Sequence, residues 1–95
     1  MEFQKAANLD GAKLVEDGIF GKNTENAMKS MVCKKRLIGY KYPNLTKFVQ
    51  KAVGVEEDGE FGNETKKAVI NWQKLCGLVA DGEVGINSYK RICGI

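Results

Sequence analysis

Asp58-Gly59-Glu60-Phe61-Gly62-Asn63-Glu64-Thr65 is the stretch whose reading decides the fold, because the chain repeats its pattern on both sides. Asp17-Gly18-Ile19-Phe20-Gly21-Lys22-Asn23-Thr24 precedes it, and Asp81-Gly82-Glu83-Val84-Gly85-Ile86-Asn87-Ser88 follows. All three read Asp-Gly-x-apolar-Gly-x-x-Thr/Ser. A fixed string recurring within one short chain marks a repeated supersecondary unit. A related phrase leads into each copy: Phe3-Gln4-Lys5-Ala6-Ala7-Asn8-Leu9, Val49-Gln50-Lys51-Ala52-Val53-Gly54-Val55 and Trp72-Gln73-Lys74-Leu75-Cys76-Gly77-Leu78. Two residues separate phrase and motif in the second and third copies, whereas residues 10–16 intervene in the first.

The unit reads as helix, turn, helix. The phrase ends a helix, with Asn8, Gly54 or Gly77 at the left-handed C-terminal position. Asp-Gly then turns the chain, since glycine accepts positive φ and aspartate bonds nearby backbone N–H groups. Phe20, Phe61 or Val84 plugs the core from the loop. The second glycine precedes a new helix, whose first turn holds a Thr or Ser placed to satisfy free N–H groups. Working outward, the pattern predicts helices over 2–8, 22–36, 44–53, 63–76 and 86–93. Their expected inward residues are Ala27, Met28, Met31 and Val32; then Leu45, Phe48, Val49 and Ala52; then Ala68, Val69, Trp72 and Leu75 or Cys76; and finally Tyr89, Ile92 and Cys93. Gly39-Tyr40-Lys41-Tyr42-Pro43 is a break. No segment alternates as a strand, although short extended pieces fit the Asp-Gly loops. The fold class is therefore all-α, a small bundle of about five helices.

Composition narrows the function. The chain has 95 residues, 43 % of them hydrophobic and 28 % charged, as in an ordinary globular domain. A formal charge of +3 is mild for a nucleic-acid binder. The run Lys34-Lys35-Arg36 with Lys41 fits a solvated helix end better than a phosphate track, and no helix concentrates base-reading residues. Histidine is absent, which removes the Ser/His/Asp and Cys/His nucleophile arrangements. Cys33, Cys76 and Cys93 form neither a Cys-x-x-Cys metal pair nor an even disulfide framework, although a Cys76–Cys93 bridge stays open. Neither a metal nor an organic cofactor is expected. Glu56, Glu57, Asp58 and Glu60 crowd one turn, whereas a glycosidase sets two carboxyls across a cleft. The start lacks the apolar core of a secretory leader, and no apolar run approaches the length that spans a bilayer.

Residues 44–93 resemble the type 1 peptidoglycan-binding module. The resemblance rests on Gln50-Lys51-Ala52, Asp58 to Thr65, Ala68-Val69-Ile70-Asn71-Trp72-Gln73, Gly77 to Gly85, and Asn87-Ser88-Tyr89, met in that order. Residues 3–33 resemble half of such a module, and also a short peptidoglycan domain found at the end of some phage muramidases. No second Asp-Gly motif follows near residue 40, so residues 1–40 are expected to be a partial repeat and 41–95 a complete three-helix module. The resemblance implies a non-catalytic binder of bacterial peptidoglycan that targets the catalytic domain of a lytic enzyme of endolysin or autolysin type. It implies no nucleic-acid or membrane partner. The chain would be made in the bacterial cytoplasm and act at the cell wall. The alternative is a protein-docking or assembly module on the same fold.

The expected ligand groove is flanked by Asp58-Gly59, Asp81-Gly82 and the helix bearing Trp72, with Gln73 and Tyr89 at its edge. Tyr40 and Tyr42 are further candidates, since aromatic faces stack on a pyranose or contact a peptide. Each has a structural reading beside it. Asp-Gly builds the turn, Trp72 belongs to the core, and Tyr40 and Tyr42 seal the seam between the repeats.

Overall fold

The computed structural model describes residues 2–35 and 41–95. Among them the chain forms five helices: α1 (Glu2–Leu9), α2 (Lys22–Ser30), α3 (Pro43–Val53), α4 (Asn63–Leu75) and α5 (Ile86–Cys93). Helix α1 packs on α3 and α5, α2 packs on α5, and α3 packs on α4. Phe3, Ala7, Met28, Leu45, Val49, Val69, Val84 and Tyr89 fill a single core. The N-terminal repeat is thus packed into the same interior as the later two. Phe3 sets its ring edge-on to Tyr89 at a centroid distance of 4.8 Å, and to Phe48 at 6.2 Å.

Helix ends follow the glycines. The amides of Val55, Leu78 and Ile95 each reach back five residues, to the carbonyls of Gln50, Gln73 and Lys90, around left-handed Gly54, Gly77 and Gly94. The expectation for Asn8 fails. Asn8 stays inside α1, and Gly11 takes the left-handed turn at φ 104°, with the Ala12 amide bonded to the Ala7 carbonyl. Asn8 instead pins the longer first loop. Its Oδ1 accepts from the Leu14 amide at 2.7 Å, and its Nδ2 donates to the Leu14 carbonyl at 2.9 Å.

Helix α2 stops at Ser30, short of the expected residue 36. Tertiary bonds take the backbone groups that further helix would use. Cys33 and Val84 exchange two backbone hydrogen bonds, at 3.1 and 2.8 Å, in an isolated antiparallel bridge. The Tyr89 hydroxyl donates to the Met31 carbonyl. One inward assignment also fails, since Ala52 is exposed; of Leu75 or Cys76, Leu75 is 87 % exposed and Cys76 is the half-buried one. Cys76 and Cys93 are both free thiols, so the bridge left open between them is not formed.

Helix α3 begins with Pro43, whose missing N–H is harmless in a first turn. Its cap comes from far away in sequence. Asp10 Oδ1 accepts from the Asn44 amide at 3.1 Å and from Asn44 Nδ2 at 2.9 Å, and Oδ2 accepts from the Leu45 amide at 2.7 Å. A carboxylate there satisfies orphan donors and complements the helix dipole.

Candidate functional site

Each Asp-Gly loop is built on a buried glutamine from the helix before it. Gln4, Gln50 and Gln73 are each 1 % exposed. The side-chain Oε1 of each accepts the amide of the motif's first glycine, Gly18, Gly59 or Gly82, at 3.0 Å. Nε2 shares its two hydrogens among three acceptors. These are the Asp Oδ1 (Asp17, Asp58, Asp81) at 3.3, 2.8 and 3.3 Å, the backbone carbonyl of residue 19, 60 or 83 at 3.2, 3.1 and 2.9 Å, and the hydroxyl of Thr24, Thr65 or Ser88 at 3.1, 3.0 and 3.2 Å. The same Asp Oδ1 accepts the amide two residues on, at 2.9 Å in all three loops. A buried polar network of this kind stabilises only when fully satisfied, and no buried side-chain polar atom among the described residues lacks a partner.

The network corrects the role given to Thr24, Thr65 and Ser88. Their hydroxyls serve the glutamine, not free helix amides, and Gly21, Gly62 and Gly85 begin the helices without a side-chain cap. It also corrects three of the candidate contacts. Gln73 cannot edge a groove with its amide, because every polar atom of it is engaged. Gly59 and Gly82 are buried, and their amides point at Gln50 and Gln73. At these glycines φ is 76° and 74°, as the Asp-Gly turn reading requires.

Tyr89 lies in the core, fully buried, not at a groove edge. Its single hydroxyl proton goes to Met31, so the Cys33 thiol at 3.1 Å donates to the Tyr89 oxygen. Burial, followed by the neighbouring Cys33, pushes that hydroxyl far above the ordinary tyrosine range. Tyr42 precedes α3, half-buried against the core, with the Lys41 ammonium 5.6 Å from its ring centroid. Tyr40 falls outside the described residues. Trp72 is half-buried. Asp58 and Asp81 remain exposed, each with one carboxylate oxygen outside the network. The Glu60 amide, then the Gln50 side chain, hold the Asp58 carboxyl below its ordinary range.

One groove brings some of these candidates together. It encloses about 330 Å³ where the third loop meets the ends of α4 and α2 and the start of α5. Gln73, Asp81 and Ser88 belong to its wall. Leu78, Val79 and Ile86 give it an apolar side, Val79 being 81 % exposed. Lys29 and Asn87 bring a cation and an amide. Lys29 pairs with Glu25 at 3.0 Å, a surface bridge of small worth that a ligand can exchange. Asp58, Trp72, Tyr42 and Tyr89 lie outside this lining.

Residues 33–92 match the family model described as "Putative peptidoglycan binding domain". The chain belongs to the peptidoglycan-binding domain family. The matched span holds the second and third loops and all of the groove except Lys29. No curated protein matches the chain, and no solved structure does. The family places the action of the domain at the bacterial cell wall. No helix among the described residues is long and apolar enough to cross a membrane.

Sequence reasoning missed the three glutamines as a structural device and the Asp10 cap. A signal for the first was present, since Gln occupies the same place in every leading phrase. Asp10 carries no such signal, because its partners lie 34 and 35 residues on.

Proposed function

We propose that this chain binds peptidoglycan without cleaving it and holds a lytic enzyme of endolysin or autolysin type at the wall. The observation that carries the reading is the family match over residues 33–92, which includes the third-loop groove. The contact region is the third loop, where Asp81, Val79, Ile86 and Asn87 stand together. It replaces the broader cleft between the second and third loops, because Tyr89 is fully buried outside the groove and Gln73, though in its wall, spends its amide on the loop. A shallow groove with an apolar wall and a few fixed polar groups suits modest, orientation-specific binding. Catalysis has no support, because the carboxylates that could serve it sit on exposed turns. The test is co-sedimentation of the purified chain with sacculi, beside duplex DNA at matched salt and a turbidity assay on the same walls. The reading predicts pelleting with sacculi, no retention on DNA and no clearing. A chain that stays in the supernatant with sacculi refutes it.

A further inference from the structure

We infer that the first repeat carries a second peptidoglycan-binding groove equivalent to the one at the third loop, so that one chain engages two wall units. The inference rests on the proposed wall-binding function and extends it to a segment outside the family match. A groove of about 160 Å³ lies at the first loop, lined by Gln4, Asp17, Gly21, Lys22, Asn23 and Thr24 among others. Their repeat counterparts Gln73, Asp81, Gly85, Ile86, Asn87 and Ser88 line the third-loop groove. The same glutamine network therefore shapes both.

Three features point to a ligand in each. First, both rims carry large apolar side chains in water: Val15 at 74 % and Ile19 at 66 % exposure in the first, Val79 at 81 % in the third. Of the six large hydrophobics exposed among the described residues, these three line the two grooves. Clustered apolar exposure marks interaction surface more than scattered single residues do. Second, Asn23 and Asn87 occupy the same repeat position, exposed and without a hydrogen bond from their side chains, so both amides are available. The second repeat has Glu64 there, next to a loop holding Glu56, Glu57 and Glu60. Third, each lining includes a lysine and a carboxylate whose second oxygen is unused: Lys22 and Asp17 in the first, Lys29 and Asp81 in the third, where Glu83 adds another carboxylate.

Neither lining contains an aromatic ring. Stacking on a sugar face is thus not on offer. Alkyl walls, an amide and a cation fit a short peptide with small side chains and a free carboxylate, the chemistry of a murein stem peptide. The second loop offers neither that amide nor an exposed apolar rim, since Glu64 replaces the asparagine and Phe61 is buried. Helix α2 joins the two sites, contributing Lys22 to one and Lys29 to the other, about 10 Å apart along its axis. Two linked weak sites on a repeating polymer gain retention through effective concentration, by ~10²-fold or more when both engage.

The test uses the full chain with Asn23→Glu, Asn87→Glu and the double variant. Each installs the residue that the second repeat already carries at that place, so the fold tolerates it. Backbone amide shifts are followed while a soluble stem tetrapeptide is titrated, and retention on sacculi is measured in parallel. The wild type should shift at both 15–24 and 79–88. Each single variant should lose one set and at least about tenfold in retention, and the double variant should lose both sets. Shifts confined to 79–88, with Asn23→Glu retained as wild type, overturn the second site and leave the wall-binding reading standing. Sacculi binding with no stem-peptide shifts in either groove overturns the ligand class. A wild type that never pellets with sacculi removes the underlying reading itself.

Discussion

Replacing Gln50 by leucine tests the device on which all three loops depend. The side chain is 1 % exposed, and leucine fills nearly the same volume, so packing changes little. The amide's four hydrogen bonds are lost. The buried Gly59 amide loses its 3.0 Å acceptor and has no other, which costs about 1–3 kcal/mol. Thr65 keeps a bond to the Glu60 carbonyl at 3.3 Å, and the exposed Asp58 rehydrates, so those partners add only about 1 kcal/mol together. The sum is about 2–4 kcal/mol, from a total that for a domain this size is about 5–15 kcal/mol. At roughly 5 °C per kcal/mol the melting temperature should fall by about 10–20 °C. Thermal denaturation followed by circular dichroism reads this directly, with the exposed neighbour Lys51→Ala as an unchanged control. Gln50→Glu adds a second arm. Its carboxylate still accepts the Gly59 amide but faces Asp58 Oδ1, which lies 2.8 Å from the present Nε2. That variant should be unstable at pH 7 and recover partly as pH falls and the new carboxyl gains a proton to donate. A Gln50→Leu melting temperature within about 2 °C of wild type would mean that the network contributes no net stability, and the account of the loops would be wrong.

Gly59→Val and Gly82→Val should each lower the melting temperature, since left-handed backbone costs a side-chain-bearing residue about 1–2 kcal/mol; the added Cβ would also sit 3.2 Å from the Pro43 carbonyl and 3.0 Å from Lys66 Cγ. An unchanged melt in both would contradict the turn geometry. Because Asp58 titrates below its ordinary range, it stabilises the fold above the unfolded-state value of about 4, and the contribution is lost as pH falls through that value and below. Asp58→Asn should therefore show a shallower fall in melting temperature than wild type between about pH 5 and pH 2, and equal slopes would refute the assignment. Residues 41–95 expressed alone should not fold, because Phe3, Met28 and Met31 leave the core and Asp10 leaves α3; at about 1.5–3 kcal/mol for each buried side chain, the loss rivals the whole stability. A cooperative melt of that fragment would show an independent module.

The second and third repeats were readable because short connections leave the chain few options. With two residues between phrase and motif, the left-handed glycine, the turn and the next helix follow from local preference, and α4 and α5 start where the pattern places them. The first repeat was harder. Its extra residues let α1 run on to Leu9, and the turn moved from Asn8 to Gly11. Tertiary bonds likewise overrode local preference in α2, whose helical periodicity continues through residue 32 while Cys33 pairs with Val84. The site was less legible still. Aromatic and amide residues were expected to meet a ligand, yet Tyr89 and Gln73 hold the core and the turn. Periodicity identifies the helix face a residue shares. It does not say whether a polar atom on that face is spent inside.

That distinction also locates where recognition can vary. In each loop the glutamine, the aspartate's first oxygen, the first glycine and the Thr or Ser hydroxyl are committed to one another. They set the loop's shape whatever the ligand. The positions left over face water in all three repeats: residues 19, 60 and 83, and residues 23, 64 and 87. Ile19, Glu60 and Glu83 fill the first set, and Asn23, Glu64 and Asn87 the second. Substitution there changes charge and hydrogen bonding without breaking a buried bond, so it costs little stability. One backbone frame can then present an apolar-amide surface in the first repeat and an acidic one in the second. Loops of identical geometry need not be loops of identical function, and binding measurements at 23 and 87, not the Asp-Gly motif itself, are what separate them.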